Sequence, residues 1–306
     1  MTPPLDQFGG VEFVDEEELI FVDDALDQAM PVDGDEFAGT GIYYAMSNEA
    51  YHSGPGVSKS GLDLISVNPS AYIWHKQAPV DYLALQALDL GSAVHCALLE
   101  PTEFEKRFVV APEFNRRSTA GREAESEFLA QAYADGMTPL THEDAAKLRI
   151  MKDSVMAHPV ARMIFEAQGH NEASIYWNDA ETNELCRIRP DRMPIIPELG
   201  PLVVDVKKVD GLDRFDRHVS DFRYHVQDAM YTDGYRNHFD ETPDFLFLIV
   251  SSSISAGRYG VDVVRLPQEW KQEGHDLYRR DLQAYAACRQ ADDWLHVRTL
   301  TRPRWA

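Results

Sequence analysis

Asp191, Asp205 and Lys207 are the residues from which chemistry can be argued first. They lie in the run from Arg187 to Lys208, whose end reads as an apolar strand. Alternation puts Val203, Asp205 and Lys207 on one face of that strand and Leu202, Val204 and Val206 on the other. The Leu/Val face suits a core. A carboxylate beside an ammonium on the opposite face must be paired or bind something. Asp191 closes an earlier strand-like run, Leu185 to Pro190, and reaches the same place if the two strands are neighbours. Two aspartates and a lysine converging on a sheet make a hard-cation site with a positive group beside it. Such oxygen ligands suit Mg²⁺, which keeps waters and is held by one or two carboxylates plus substrate phosphates. The competing reading of the same residues is an ordinary Asp205–Lys207 ion pair, worth little on a half-exposed strand.

The rest of the chain must position those groups. At 306 residues it can bury a sizeable core, and its aromatic and aliphatic content is that of a globular protein. No apolar run approaches the length of a membrane span and no secretory signal is present, so no membrane partner is expected. Cys96, Cys186 and Cys288 are odd in number, far apart and without metal spacing; they read as buried thiols of a reducing compartment, and the expected location is the cytoplasm. The net charge of −22 argues globally against nucleic acid. Its distribution changes that: residues 1–58 hold thirteen acidic and no basic residues, leaving 29 basic against 38 acidic in the remainder, a balance of −9. That balance allows DNA binding if basic groups line one channel and Mg²⁺ screens the phosphates.

Residues 1–38 read as an acidic tail, a solvated charge run, or alternatively a docking strip; residues 39–306 read as one domain. Ser58 or Ser60 is expected to cap a helix, with Ser58-Lys59-Ser60 also a seat for phosphate. A helix over residues 84–100 carries the stripe Leu90, Val94 and Leu98 with His95 beside it, a position that by itself fits a core histidine or a ligand. The loop 114–122 holds Arg116, Arg117 and Arg122, open equally to phosphate contacts and to plain solvation, and runs into a helix over 123–134. Helices over 143–157 and 160–167 part at His158-Pro159.

A strand at 175–177 and its return at 185–190 form a hairpin, with Glu172 at its mouth read as a solvent-facing charge before a ligand. The Asp205 strand leads into one long helix, Asp213 to Phe239. Its apolar face holds Phe215, Val219, Phe222 and Val226; a neighbouring face holds Tyr224, Gln227, Tyr231 and Tyr235. Strands at 245–250 and 259–266 and a helix at 267–290 complete an α/β order in which the Asp205 strand feeds a crossover helix.

Those residues, in that order, resemble the PD-(D/E)XK nuclease superfamily: Pro190-Asp191, then Asp205-Val206-Lys207, then Gln227-Asp-Ala-Met-Tyr231 of its RecB-like branch, preceded by the helical histidine motif Gly91-Ser-Ala-Val-His95. Gly41-Ile-Tyr-Tyr, Ser58-Lys-Ser, Leu88-Asp-Leu-Gly, Ala111-Pro-Glu-Phe-Asn-Arg-Arg, Tyr224-His-Val-Gln-Asp and Pro303-Arg-Trp-Ala narrow the resemblance to the RecE-type exonuclease domain over about residues 40–306. The spacer between Asp191 and Asp205, with Pro194, Pro197 and Pro201, is slightly expanded and reads as a longer loop.

The resemblance implies a mixed central sheet flanked by helices and a 5′-to-3′ exonuclease that leaves 3′ single strands on linear duplex DNA. It implies one or two Mg²⁺ ions, with Mn²⁺ substituting, held by His95, Asp191, Asp205 and the Val206 carbonyl. Lys207 would assist catalysis, and Gln227 and Tyr231 would orient water or phosphate. Ser58, Lys59, Ser60, Arg116, Arg117 and Tyr224 are the expected contacts to DNA or its 5′ phosphate, and Glu172 is an additional candidate ligand at the metal site. A homo-oligomeric ring, tetrameric by expectation, and a RecT-type single-strand annealing partner are implied as well. Two other classes compete: a structure-specific endonuclease and a catalytically silent DNA-end-binding module on the same fold.

Overall fold

A computed structural model describes residues 35–80, 90–300 and 302. Most of the acidic tail, the first residues of the helix expected at 84–100, and the Pro303-Arg-Trp-Ala motif therefore lie outside the described residues.

Local signals account for most of the helices. After strand β1 (Gly41–Tyr43), helix α1 (Asn48–Ser53) starts where the Ser47 side chain accepts from the Ala50 N–H. Helix α2 (Lys59–Val67) starts where Ser58 accepts from Gly61, and α3 (Pro69–Gln77) where Asn68 caps and Pro69 opens the first turn. Helices α4 (Leu90–Leu99) and α5 (Pro101–Arg107) are followed by β2 (Phe108–Val110), α6 (Thr119–Ala134) and β3 (Thr138–Leu140). A reciprocal Thr141–Asp144 capping box opens α7 (His142–Ala157), and His158 with Pro159 separates it from α8 (Pro159–Glu166).

The strands β4 (Gly169–Asn171), β5 (Ser174–Asn178), β6 (Leu185–Ile188), β7 (Arg192–Pro194) and β8 (Leu202–Val209) come next. Helices α9 (Phe215–Asp221) and α10 (Tyr224–Phe239), strands β9 (Asp244–Ser255) and β10 (Arg258–Val264) and helix α11 (Gln268–Ala291) complete the chain. The principal sheet has the order β10-β9-β8-β7-β4, with β8 and β9 parallel and the other pairs antiparallel. The parallel pair is joined through α9 and α10, as a crossover requires. A three-stranded sheet, β1-β5-β6, and a small parallel pair, β2-β3, stand apart. The fold is thus the mixed α/β architecture expected.

The principal sheet is covered on both faces. Leu202, Val204, Val206, Leu246 and Leu248 pack with α4, α7 and α8 residues such as Val94, Met151 and Ile164. Val203, Phe245, Phe247 and Ile249 pack with α10, α11 and the smaller sheet. Two glycines permit close approach there. A Cβ at Gly274 of α11 would stand 2.0 Å from the His225 carbonyl oxygen, and one at Gly234 of α10 would stand 2.7 Å from Ile188 and Trp177.

The structure corrects three expectations. The hairpin strand ending before Asp191 does not neighbour the Asp205 strand: β6 belongs to the smaller sheet, and the strand beside β8 is β7. The spacer read as a loop contains that strand and a 3₁₀ turn at Pro197–Leu199, because Arg192 is buried and its guanidinium is satisfied by the carbonyls of Ile164 and Ala167. The helix expected over 213–239 is broken, with Arg223 in the left-handed region at φ 54°. Arg223 is held there by ion pairs to Asp63 and Asp281, so Phe222 leaves the apolar face it was assigned to and is 54% exposed.

Candidate active site

The site lies where β7 parts from β8. Only Arg192 of β7 pairs with β8, opposite Val204. The next amide on that side, Val206 N–H, donates instead to Asp191 Oδ2 at 2.6 Å. The chain's departure from the sheet at Asp191 therefore leaves the middle of β8 unpaired with β7 and sets a carboxylate in the gap. His95, from the stripe-bearing helix α4, brings Nε2 to 3.1 Å from the same Asp191 oxygen.

Glu172 is the third member, and the solvent-facing reading of it is overturned. Its side chain points inward, with Oε1 3.3 Å from His95 Nε2 and Oε2 2.6 Å from Arg189 Nε. The residue occupies the left-handed region at φ 55°, between β4 and β5, and its N–H donates to the Asp191 carbonyl at 3.1 Å. A non-glycine residue held in that conformation is strained backbone that its surroundings must hold in place. Arg189, which sequence reasoning passed over, is the buried anchor: it also donates to the Met46 carbonyl and the Ser174 hydroxyl. The available signal was an arginine two residues before the aspartate, in register with Arg187 on a strand otherwise built for burial.

The ligand atoms of His95, Glu172 and Asp191 all lie within 4.8 Å of one another, a spacing that one cation can satisfy. Asp205 stands outside that trio. Its Oδ2 is 2.6 Å from Lys207 Nζ, and its Oδ1 accepts from the Gln227 amide of α10. Lys207 Nζ also sits 4.8 Å from the centre of the Tyr224 ring. Among the described residues four buried carboxylate oxygens have no hydrogen bond, and two of them are here: Glu172 Oε1, which faces the His95 nitrogen, and Asp205 Oδ2, which is ion-paired with Lys207. Buried carboxylate oxygens short of donors, beside a histidine nitrogen, are the donor set of a divalent cation.

These groups shift one another's titration strongly. Burial pushes Glu172 up to about 7, helped by Asp191 and opposed by His95 and Arg189. Burial likewise pushes Asp205 up to about 6 against the pull of Lys207. Asp191 is lowered despite its burial, because His95, Lys207 and the Val206 amide favour the anion. His95 is desolvated, yet Asp191, Glu172 and Asp205 outweigh that and raise it to about 9.

Next to these groups opens a cavity of about 520 Å³, lined by Ser58, Lys59 and Ser60 as well as Lys207, Gln227 and Tyr231. Tyr224 and Phe222 line it too. Ser58 caps α2, and Lys59 Nζ is 2.7 Å from Asp63 and donates to the Phe222 carbonyl at 2.6 Å. Arg116 and Arg117 do not share this cavity; Arg116 is 74% exposed and paired with Glu125.

Comparisons with known proteins bear on the fold. The sequence profile of a family described as "PDDEXK-like domain of unknown function (DUF3799)" matches residues 58–296. Among solved structures, a protein from Eubacterium rectale described as "Putative exonuclease" aligns with a TM-score of 0.52 at 15% identity, covering 84% of this chain and 95% of that one. SSO0001 aligns over 63% of this chain and 85% of its own at 13% identity; its TM-score of 0.25 carries no argument. No curated protein matches the sequence.

Proposed function

The chain belongs to the PDDEXK-like DUF3799 family, and from that premise we propose that it is a divalent-metal-dependent exonuclease of linear duplex DNA. The observation that carries the reading is the convergence of His95, Glu172 and Asp191, with Asp191 accepting from the amide that follows Asp205 and the Asp205 partner Lys207 lining a cavity. The motif resemblance to RecE-type exonucleases supports the finer statement: attack from 5′ ends, 3′ overhangs, an oligomeric ring and a single-strand annealing partner. The same resemblance supports residues 39–306 as the nuclease domain; charge composition supports residues 1–38 as an acidic tail, and the three scattered cysteines support a cytoplasmic location. Among the described residues no helix is long and apolar enough to cross a membrane.

The reaction is phosphodiester hydrolysis. A water oxygen forms a bond to phosphorus, the bond to the 3′ oxygen breaks, and a proton passes to that leaving oxygen. A bound Mg²⁺ supplies neutralisation of the non-bridging oxygens and a more acidic water. His95, Asp191 and Glu172 would hold it, with Asp205 alongside. Gln227 fixes the Asp205 carboxylate by donating to Oδ1. Lys207, paired to Asp205 and stacked on Tyr224, is held to balance the charge that develops on the phosphate. Ser58, Lys59 and Ser60 offer a helix N-terminus and an ammonium to a further phosphate of the strand.

The test is digestion of a 5′-phosphorylated linear duplex by wild type and Lys207→Ala, with Mg²⁺ and with EDTA. Mononucleotides bearing 5′ phosphates are expected from wild type with Mg²⁺ alone. Cleavage of a covalently closed circle would replace this reading with the endonuclease. DNA ends bound but left uncut would replace it with the silent end-binding module.

A further inference from the structure

Phe222 is an exposed aromatic ring that the folding chain goes to some length to present. It is 54% exposed, although it lies between two helices whose other aromatics, Phe215 and Tyr224, pack against the core. Its backbone is fixed on both sides. The Phe222 N–H donates to the His218 carbonyl at 2.9 Å, and its own carbonyl accepts from Lys59 Nζ at 2.6 Å. The following residue, Arg223, sits in the left-handed region, clamped 3.2 Å from Asp63 and also paired with Asp281. A non-glycine residue in that conformation persists only where its surroundings over-determine it.

The ring's neighbours define what it can bind. His218 meets it edge-on at 5.4 Å and Tyr224 lies tilted at 5.7 Å, so aromatic groups adjoin the ring. Phe222 lines the same cavity as Lys207, Gln227 and Tyr231, and the 54% exposed Val67 shares that lining. Two ammonium groups, Lys207 at 4.8 Å and Lys59 at 5.9 Å, flank the Tyr224 ring. An exposed aromatic surface beside cations matches a nucleotide, whose base stacks while its phosphates meet the charges.

We infer that Phe222 is a stacking platform for the terminal base of a DNA end, holding the strand in register with the reacting phosphate. The inference rests on the proposed nuclease reading. Phe222 touches the base and not the reacting atoms, so it is a positioning residue. Stacking needs only a π-face, so the platform serves every base alike, as an enzyme that consumes a strand nucleotide by nucleotide requires.

The test is a cycle between base and ring. Equilibrium binding of a 5′-phosphorylated linear duplex is measured with Ca²⁺ replacing Mg²⁺, using either intact ends or ends whose terminal nucleotide is abasic. Wild type should lose about tenfold in affinity for the abasic end. Phe222→Ala should lose about as much on the intact end and nothing further on the abasic one. Phe222→Trp should restore the difference, while the melting temperature of each variant stays that of wild type. Equal abasic penalties in wild type and Phe222→Ala would overturn the platform, as would failure to bind either duplex. Mg²⁺-dependent digestion by wild type, run in parallel, reports separately on the nuclease reading. Coupling without digestion leaves the platform standing and that reading fallen; digestion without coupling does the reverse.

Discussion

Two groups of buried carboxylates in this protein meet opposite fates. At the outer turn of the smaller sheet, Asp179 receives the Arg279 guanidinium, with contacts to both oxygens, and the Thr182 amide and hydroxyl; Glu184 receives Arg289 at 2.5 Å. Burial opposes the anion there, but the donors prevail and hold Asp179 down to about 2. At the β7–β8 gap, Glu172 and Asp205 keep oxygens without hydrogen bonds and are pushed up to about 7 and about 6. In the first group both Asp179 oxygens are met by guanidinium donors. In the second, one oxygen of Glu172 and one of Asp205 lack a hydrogen bond, although arginine and lysine lie next to them. A structural network is completed by the protein's own donors, whereas a site keeps acceptor capacity for something that arrives.

The largest expected effect breaks the comparison at the site. Lys207→Ala or Asp205→Asn should cost at least about 10²–10³-fold in digestion of linear DNA, the range seen when a group that stabilises developing charge is removed. The same variants should fold, and circular dichroism together with a cooperative melt checks that. Normal turnover in either would return the Asp205–Lys207 pair to the status of the Asp179–Arg279 pair.

Next comes metal linkage. Mg²⁺ or Mn²⁺ at about 100-fold over its Kd should stabilise wild type by about 2.7 kcal/mol. In Asp191→Ala or Glu172→Gln the rise in melting temperature should shrink or vanish. In Arg279→Ala it should persist in full, since that network has no place for a cation. A shift lost equally in Arg279→Ala would show that metal acts on the fold at large.

A smaller effect is expected at the structural network, and it carries a pH signature. Asp179 has a folded-state value of about 2 against an ordinary 3.8. A depressed carboxylate contributes stability that is fully present above the ordinary value and is lost as pH falls through the folded one. Asp179→Asn should therefore lower the melting temperature by about 2–4 °C at neutral pH. That difference should close as pH drops from about 4 towards 2. A constant difference over that range would remove the ion pair from the account.

The smallest effect is expected from deleting residues 1–38. The cooperative melt should survive, and its loss would make the acidic segment part of the structure.

Much of this was legible along the chain. The alternation over 202–207 separated Asp205 and Lys207 from the Leu/Val face, and β8 has that arrangement. The stripe around His95, the Ser58 cap and the His158-Pro159 break are local signals, and each appears as expected. Glu172 was misjudged because a charged residue at a hairpin mouth is ordinarily solvated. Its inward turn depends on Arg189 and on a left-handed backbone that no periodicity encodes. Phe222 was placed in a helical stripe because its spacing is helical; the break after it comes from Asp63 and Asp281, both remote in sequence.

The sequence by itself determined the α/β order, the elements that carry the reactive groups and the chemical type of those groups, because periodicity and capping act within a few residues. Only the tertiary structure decided that His95, Glu172 and Asp191 share one cation-sized space while Asp205 pairs with Lys207 beside it. That outcome follows from where β7 leaves β8 and which buried donors remain to satisfy each carboxylate, and both are settled by contacts between distant parts of the chain.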